Sequence, residues 1–138
     1  MNQHTVIVID SNVWISALIF GGNPGKILKL FVDNKVEVVM SEEIITELRR
    51  IIINKFPLFV NSLNLLEASL RKDTVFVQLG SITIDASRDV DDNRILETAY
   101  IGKAKYIISG DKDLLVLKKY EDIKILSPVD FLKHSNLQ

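Results

Sequence analysis

Short apolar runs alternate along the chain with longer segments in which apolar residues recur every three or four positions. Five of the short runs have the length and β-branched content of strands: residues 6–9, 36–40, 75–77, 106–108 and 123–126. In residues 6–9 the apolar side chains are consecutive, which is typical of a parallel strand that is covered on both faces. The pattern therefore predicts a parallel sheet buried between helices.

The segments between these runs have the 3.6-residue period of amphipathic helices. Helices are predicted to begin near Pro24, to run from a cap at Ser41 to about Asn54, to cover residues 58–71 and 91–102, and to begin again at Ser127. Trp14 and Phe20 are expected to pack in the core beside the first strand. Strands that alternate with helices imply right-handed crossovers. The predicted fold is a three-layer α/β/α sandwich with a central five-stranded parallel sheet, and no linker or repeat divides residues 1–138 into more than one domain.

Composition narrows the class of protein. The 138 residues are 47% hydrophobic and 25% charged, as in an ordinary globular domain, and no apolar run approaches the ~20 residues needed to cross a bilayer. Without a signal-like N-terminus or a membrane segment, we expect a cytoplasmic protein. The absence of cysteine excludes disulfides, thiolate metal sites and a cysteine nucleophile. A net charge of −1 gives no overall basic footprint for nucleic acid.

Acidic residues follow two of the predicted strands at the point where each strand ends. Asp10 comes directly after the first strand, and Asp111 follows the fourth. Ligands of open parallel sheets bind outside the carboxyl ends of the strands. The two carboxylates are therefore expected at one edge of the sheet.

Two predicted helices add acids to that edge. On a helical wheel, Glu47 borders the apolar arc of its helix, while Asp92 shares the apolar face of Ile95 and Leu96. Asp91 sits beside that face. A carboxylate that faces the core is costly without a partner, and a divalent cation would be such a partner.

Four carboxylates, those of Asp10, Glu47, Asp92 and Asp111, are thus expected to converge, and a metal ion would offset their repulsion. Oxygen ligands without cysteine or nearby histidine favour Mg²⁺ or Mn²⁺ over Zn²⁺. Such a site can polarise a phosphodiester and lower the pKa of bound water, which is nuclease chemistry. Each acid alone has a simpler explanation, such as helix capping by Asp111, but independent caps have no reason to meet at one edge.

Four motifs in order make the chain similar to a known family. They are Asp10-Ser11-Asn12-Val13, the mid-helix acid in Ser41-Glu42-Glu43-Ile44-Ile45-Thr46-Glu47-Leu48, Asp89-Val90-Asp91-Asp92-Asn93-Arg94-Ile95-Leu96, and Ser109-Gly110-Asp111-Lys112-Asp113-Leu114-Leu115. From about residue 5 to 132 the sequence resembles the PIN-domain nucleases, most closely the prokaryotic VapC-like subgroup of toxin components of toxin–antitoxin systems.

The resemblance implies a Mg²⁺- or Mn²⁺-dependent endoribonuclease with a five-stranded parallel sheet. Catalytic and metal-binding roles carry over to Asp10, Glu47, Asp92 and Asp111, and Asn12 and Ser109 match positions that orient the acids. Asp91 remains an alternative to Asp92 as a ligand, and Asp113 either joins the metal site or lies in the next helical turn. The resemblance also suggests a homodimer and a small antitoxin protein. We interpret the substrate as single-stranded RNA.

Several alternatives stay open or are disfavoured at this point. A PIN-type RNA-processing nuclease without an antitoxin, and a catalytically silent module with an acidic pocket, are both compatible with the motifs. A phosphatase of the haloacid dehalogenase type needs a second aspartate where Asn12 stands. A response-regulator receiver needs an acidic pair just after the first strand and a phosphoacceptor aspartate after the third, where Gly80 and Ser81 follow instead.

Overall fold

The computed structural model describes residues 4–135, which form a sheet of six strands with helices on both faces. The strands are β1 (Thr5–Ile9), β2 (Val36–Met40), β3 (Val75–Phe76), β4 (Tyr106–Ile108), β5 (Lys119–Tyr120) and β6 (Ile123–Leu126). Their order across the sheet is β3-β2-β1-β4-β6-β5. The three-layer α/β/α sandwich is as predicted.

Seven α-helices and one 3₁₀ turn connect the strands within the described residues. The α-helices are α1 (Ser11–Ile19), α2 (Gly22–Val32), α3 (Glu42–Lys55), α4 (Val60–Asp73), α5 (Val90–Ile101), α6 (Lys112–Leu115) and α7 (Pro128–Ser135), and the 3₁₀ turn is Pro57–Phe59. The five helices expected from the apolar period correspond to α2, α3, α4, α5 and α7. The two remaining helices, α1 and α6, follow the acids that end β1 and β4.

The sheet has one strand more than the sequence predicts. The five predicted strands run parallel to one another. The sixth strand, β5, pairs antiparallel with β6 at the edge, with Lys119 opposite Lys124 and Tyr120 opposite Ile123. Two residues are too few to show an alternating pattern. A tight turn with Glu121 at a φ of 51° brings this short segment back beside β6.

The direction of the crossovers changes between β1 and β4. The chain moves from β1 outward to β2 and β3, and α5 then carries it back to β4 on the other side of β1. In doubly wound sheets the crevice at such a switch point is where ligands bind. Here the carboxyl ends of β1 and β4 lie side by side at that crevice.

The core lies under the central strands, where Ile7, Val8 and Ile9 are fully buried. Trp14 is buried as predicted and its ring contacts Phe31 edge to face, with centroids 5.7 Å apart. The prediction for Phe20 is wrong, because this side chain is 75% exposed. Phe20 follows the end of α1, where the chain turns through Gly21 into α2.

Over residues 4–135, no single helix is long and apolar enough to cross a membrane. One pair, α1 with α2, meets that requirement by length and composition only, and its two helices are bent by 100°.

Candidate active site

The pairing of β1 with β4 places Asp10 next to Ser109. Ile9 is paired with Ile108, and the Asp10 amide donates to the Ile108 carbonyl at 2.9 Å. The Ser109 hydroxyl donates to one Asp10 carboxylate oxygen at 2.6 Å, and the Ser11 amide donates to the other at 2.7 Å. Asp10 therefore caps α1, as an acid at a helix start does, while its carboxylate is held in the buried crevice.

Ser109 and Asn12 also tie the loop after β4 to the start of α1. The Ser109 hydroxyl accepts from the Asp111 amide at 2.9 Å, and the Asn12 side-chain oxygen accepts from the Gly110 amide at 3.3 Å. One Asp111 oxygen caps α6 by accepting from the Asp113 amide at 2.8 Å. Asp111 therefore caps α6 as expected and can also face the crevice, because its second oxygen takes no part in the cap.

The first turn of α5 brings the third acid to the crevice. Asp89 caps this helix by accepting from the Asp91 amide at 2.9 Å. Asp92 is buried, in agreement with the helical wheel, and the Ser87 hydroxyl lies 3.4 Å from its carboxylate. A buried carboxylate at this position is the costly feature that the sequence indicates.

Three carboxylates meet closely enough to hold a metal ion: one oxygen each from Asp89, Asp92 and Asp111 lies within 4.8 Å of the others. Oxygens bound to one Mg²⁺ at 2.0–2.1 Å are separated by no more than about twice that length, so the group matches a single small cation after slight contraction. Asp89 is the member that the sequence analysis did not propose. The signal for Asp89 in the sequence is its place three residues before Asp92, at the cap of the predicted helix.

Burial above all, and the neighbouring carboxylates in addition, raise the pKa values of Asp92 and Asp10. Burial raises the pKa of Asp92 to about 7, and the charges of Asp111, Asp89 and Asp10 act in the same direction. Burial raises the pKa of Asp10 to about 6, although the hydrogen bonds from Ser109 and Ser11 oppose this. Because a nearby cation stabilises the charged form of a carboxylate, it would reverse both shifts.

Glu47 lies on α3, close to the crevice but outside the group of three. The hydroxyl of Ser41 starts this helix by accepting from the Ile44 amide, and it also lies 3.0 Å from the Thr98 hydroxyl on α5. The pKa of Glu47 is raised to about 7, mainly by burial and in part by the carboxylates of Asp91 and Asp10. Glu47 therefore shares the negative field of the crevice without belonging to the closest oxygen group.

Asp91 and Asp113 face cations. One Asp91 oxygen is 3.6 Å from the Arg50 guanidinium and the other is 3.8 Å from that of Arg94. Asp113 lies 3.2 Å from Arg88. Neither acid is in the group of three oxygens found among the described residues.

The sequence profile of the family described as PIN domain matches residues 6–113, which is most of the chain. The chain belongs to the PIN-domain family. The match includes Asp10, Glu47, Asp92 and Asp111.

This PIN domain has similar relatives in an archaeon and a bacterium. It is 36% identical over 139 aligned residues to the uncharacterized protein MJ1680 of Methanocaldococcus jannaschii, covering 92% of this chain and 89% of that protein. Its fold is similar to that of VapBC2 from Rickettsia felis, solved bound to a DNA fragment from their promoter, with a TM-score of 0.60, 12% identity, and coverage of 88% of this chain and 97% of the other. At that identity the second likeness shows the fold alone.

Two further residues of the PIN domain, Ser87 and Asn93, shape the loop before α5. The Asn93 side chain accepts from the Ser87 amide and donates to the Ser87 carbonyl, each at 2.8 Å. The Ser87 hydroxyl accepts from the Asp89 amide at 3.2 Å. These contacts fix where Asp89 and Asp92 start the helix. Sequence patterns do not reveal them, because the two residues are joined only by the fold of an irregular loop.

Proposed function

We propose that this PIN domain is a Mg²⁺- or Mn²⁺-dependent endoribonuclease that hydrolyses phosphodiester bonds in single-stranded RNA, as the toxin of a toxin–antitoxin pair. The observation that carries the proposal is the close group of three carboxylate oxygens, one of them from the buried Asp92, at the switch point of the sheet. A protein with no cation to bind there would retain an unfavourable concentration of negative charge.

Asp89, Asp92 and Asp111, whose oxygens form the close group, would hold the cation. Asp10 would complete the site, since its carboxylate is near enough for its charge to raise the pKa of Asp92. A divalent cation in this place supplies a Lewis acid for the phosphoryl oxygen and lowers the pKa of water. Ser109 orients two of these acids at once, because its hydroxyl donates to Asp10 and accepts from the Asp111 amide. Asn12 fixes the intervening Gly110.

Glu47 would place the attacking water or a second ion. It lies on α3 near enough to Asp10 for the charge of that carboxylate to raise the pKa of Glu47. A carboxylate in this position accepts hydrogen bonds from water and aligns its oxygen for in-line attack on phosphorus.

The partners and location proposed for this activity rest on the motifs and on the fold shared with VapBC2. We propose a small antitoxin protein that covers the acidic crevice, a homodimer, and a cytoplasmic location, with no membrane association. Co-expression with the neighbouring open reading frame tests the antitoxin, since an antitoxin would co-purify with the chain and inhibit cleavage.

The test of the activity is cleavage of a mixed single-stranded RNA pool with Mn²⁺, with Mg²⁺ and with chelator. We expect metal-dependent cleavage by the wild type and none by Asp10→Asn or Asp92→Asn, both with an intact fold by circular dichroism. Asp122→Asn is the matched control, because Asp122 precedes β6 at the opposite edge of the sheet and its loss should leave cleavage unchanged.

Two results would contradict this function. Equal cleavage by the wild type and Asp92→Asn would mean that the observed nuclease is a contaminant or uses other residues. Binding of Mn²⁺ by calorimetry without cleavage of any RNA would identify a silent acidic module instead.

A further inference from the structure

Two separate elements carry the close group of three carboxylates. Asp89 and Asp92 lie at the start of α5, whereas Asp111 lies at the start of α6. Carboxylates this close repel one another when no cation is bound, and the repulsion acts to move the two elements apart. A contact that holds the start of α5 near the start of α6 would therefore favour the arrangement that binds a metal.

An irregular segment leads into α5 and ends at Asp89. Residues 77–89, between β3 and α5, form no helix or strand. The Glu97 carboxylate accepts from the Gly80 amide at 2.7 Å, and the Asn93 side chain accepts from the Ser87 amide at 2.8 Å. Both of these contacts hold the segment to α5. Its position relative to α6 has to be set by another contact.

An ion pair joins this segment to α6 beside the three carboxylates. The Arg88 guanidinium donates to the Asp113 carboxylate at 3.2 Å. Arg88 directly precedes Asp89, and the Asp113 amide is the donor that the Asp111 carboxylate accepts. Within residues 4–135, no other side-chain hydrogen bond connects the segment with α6. The pair therefore connects the same two elements that a bound cation would connect.

We infer that Arg88 and Asp113 form a clasp, which keeps the starts of α5 and α6 at the separation that metal binding needs. The inference rests on the proposed function and adds two positioning residues to it. Asp113, a possible metal ligand by sequence, then acts through Arg88 and not on the metal. Ligands that are gathered in advance bind a cation more tightly, because less order has to be imposed on binding.

Exposure to solvent limits the strength of the clasp. The Arg88 side chain is 86% exposed and that of Asp113 is 37% exposed. Ion pairs between exposed groups contribute little and are screened by salt. We therefore expect the clasp to change metal affinity by a small factor at low ionic strength, and to lose this effect as the salt concentration increases.

The charges of the two residues also act directly on a bound cation, in opposite directions. Removal of Arg88 alone would strengthen cation binding through this direct effect, and removal of Asp113 alone would weaken it. Removal of both leaves the net charge at −1, so the two direct effects largely cancel. The double variant therefore measures the contribution of the clasp.

The test is the Kd for Mn²⁺, measured by isothermal titration calorimetry at low ionic strength. We expect Arg88→Gln with Asp113→Asn to weaken Mn²⁺ binding about two- to fivefold, and this difference to disappear near about 1 M salt. In chelator, the amide hydrogens of Ser87 and Asp89 should exchange faster in this variant than in the wild type, since the segment is no longer held to α6.

Asp91→Asn with Arg94→Gln is the matched control. It also removes one acid and one arginine beside the crevice, but both residues lie on α5, so their loss should leave the Kd for Mn²⁺ unchanged.

Three results would contradict the clasp. Equal Mn²⁺ affinity in the wild type and the Arg88 and Asp113 double variant, with metal-dependent RNA cleavage by the wild type intact, would overturn the clasp alone. A loss of about tenfold or more in Asp113→Asn, without any loss in Arg88→Gln, would identify Asp113 as a metal ligand and also overturn the clasp. A wild type that binds no Mn²⁺ would overturn both the clasp and the proposed function.

Discussion

Asp91 and Asp92 are adjacent in sequence but lie in different electrostatic surroundings. Asp92 is buried near Asp111 and Asp89, while Asp91 is partly exposed between two arginines. One step along a helix rotates a side chain by 100°, which is enough to separate these environments. The two residues therefore offer a comparison in which only the direction of a carboxylate changes.

We expect Asp92→Asn to raise the Mn²⁺ concentration for half-maximal binding at least tenfold, because it removes a negatively charged oxygen from the closest group. Asp91→Asn should leave that concentration unchanged. Isothermal calorimetry with Mn²⁺ measures both. A weaker Mn²⁺ affinity in Asp91→Asn than in Asp92→Asn would contradict our proposal and identify Asp91 as the ligand.

The raised pKa values predict that the metal-free protein becomes less stable as pH rises. Burial keeps the pKa of Asp10 near 6 and those of Glu47 and Asp92 near 7, above the usual values of 3.8 and 4.5. Between about pH 4.5 and 7 the folded state therefore binds more protons than the unfolded state, and this stabilising effect is lost as pH increases.

Urea denaturation in chelator at pH 5.5 and pH 8 checks this expectation. The free energy of unfolding should fall by an amount on the order of 2 kcal/mol between the two values. Asp92→Asn should reduce the fall, since asparagine does not titrate. A stability that rises over this interval would show that the crevice acids are already ionised and stabilised without metal.

At the scale of elements, the sequence predicts the strands that lie in apolar runs and misses the one that does not. Runs such as residues 6–9 and 106–108 are apolar because both faces are covered, and they correspond to β1 and β4. Lys119–Tyr120 has no such pattern, because an edge strand of two residues is held by its turn and by backbone pairing. The prediction that Phe20 packs in the core fails for a related reason, because its hydrophobicity does not reveal that α1 ends at Ile19.

The site shows the same division between what a pattern encodes and what the tertiary fold adds. The positions of Asp10 and Asp111 follow from strand ends, and the burial of Asp92 follows from helical period. The place of Asp89 in the group of three carboxylate oxygens could not be predicted as directly. It depends on the loop held by Ser87 and Asn93, whose contacts are set by tertiary structure.

The contact between α5 and β2 gives a test of packing at this scale. A methyl group on Gly102, directly after α5, would overlap the buried side chain of Val39 and lie 3.1 Å from the Thr98 carbonyl oxygen. We expect Gly102→Ala to lower the free energy of unfolding by about 1–3 kcal/mol, as overpacking does.

Gly25→Ala is the control for this change, because Gly25 is in a helix and the added methyl meets no atom within 4 Å beyond its chain neighbours and the backbone of its own helix. It should be neutral or stabilise by up to about 1 kcal/mol through helix propensity. Chemical denaturation of both variants measures the difference. Equal stability of the two variants would mean that β2 moves freely away from α5.

For the whole molecule, metal binding and folding should be coupled. A cation that binds the folded crevice and not the unfolded chain stabilises the protein by about 2.7 kcal/mol at 100 times its Kd, which is a rise of several degrees in Tm for a chain of this length. Asp92→Asn should differ from the wild type both in its stability without metal and in its response to metal. It should melt higher than the wild type in chelator, because repulsion is relieved, and respond little to Mn²⁺.

Thermal melts with and without Mn²⁺ separate these effects. A wild type that gains no stability from Mn²⁺, or an Asp92→Asn variant that gains as much as the wild type, would contradict a site centred on Asp92.

The pairing of β1 with β4 also sets a time at which the protein acquires its site during synthesis. The hydrogen bond between Ser109 and Asp10 joins residues 99 positions apart. At about 5–20 residues per second, a ribosome needs several seconds or more to reach β4 after β1 is made. A growing chain that already contains Asp10, Glu47 and Asp92 still lacks the strand that completes the crevice. The nuclease that we propose would therefore stay inactive towards its own messenger until most of the chain has left the ribosome.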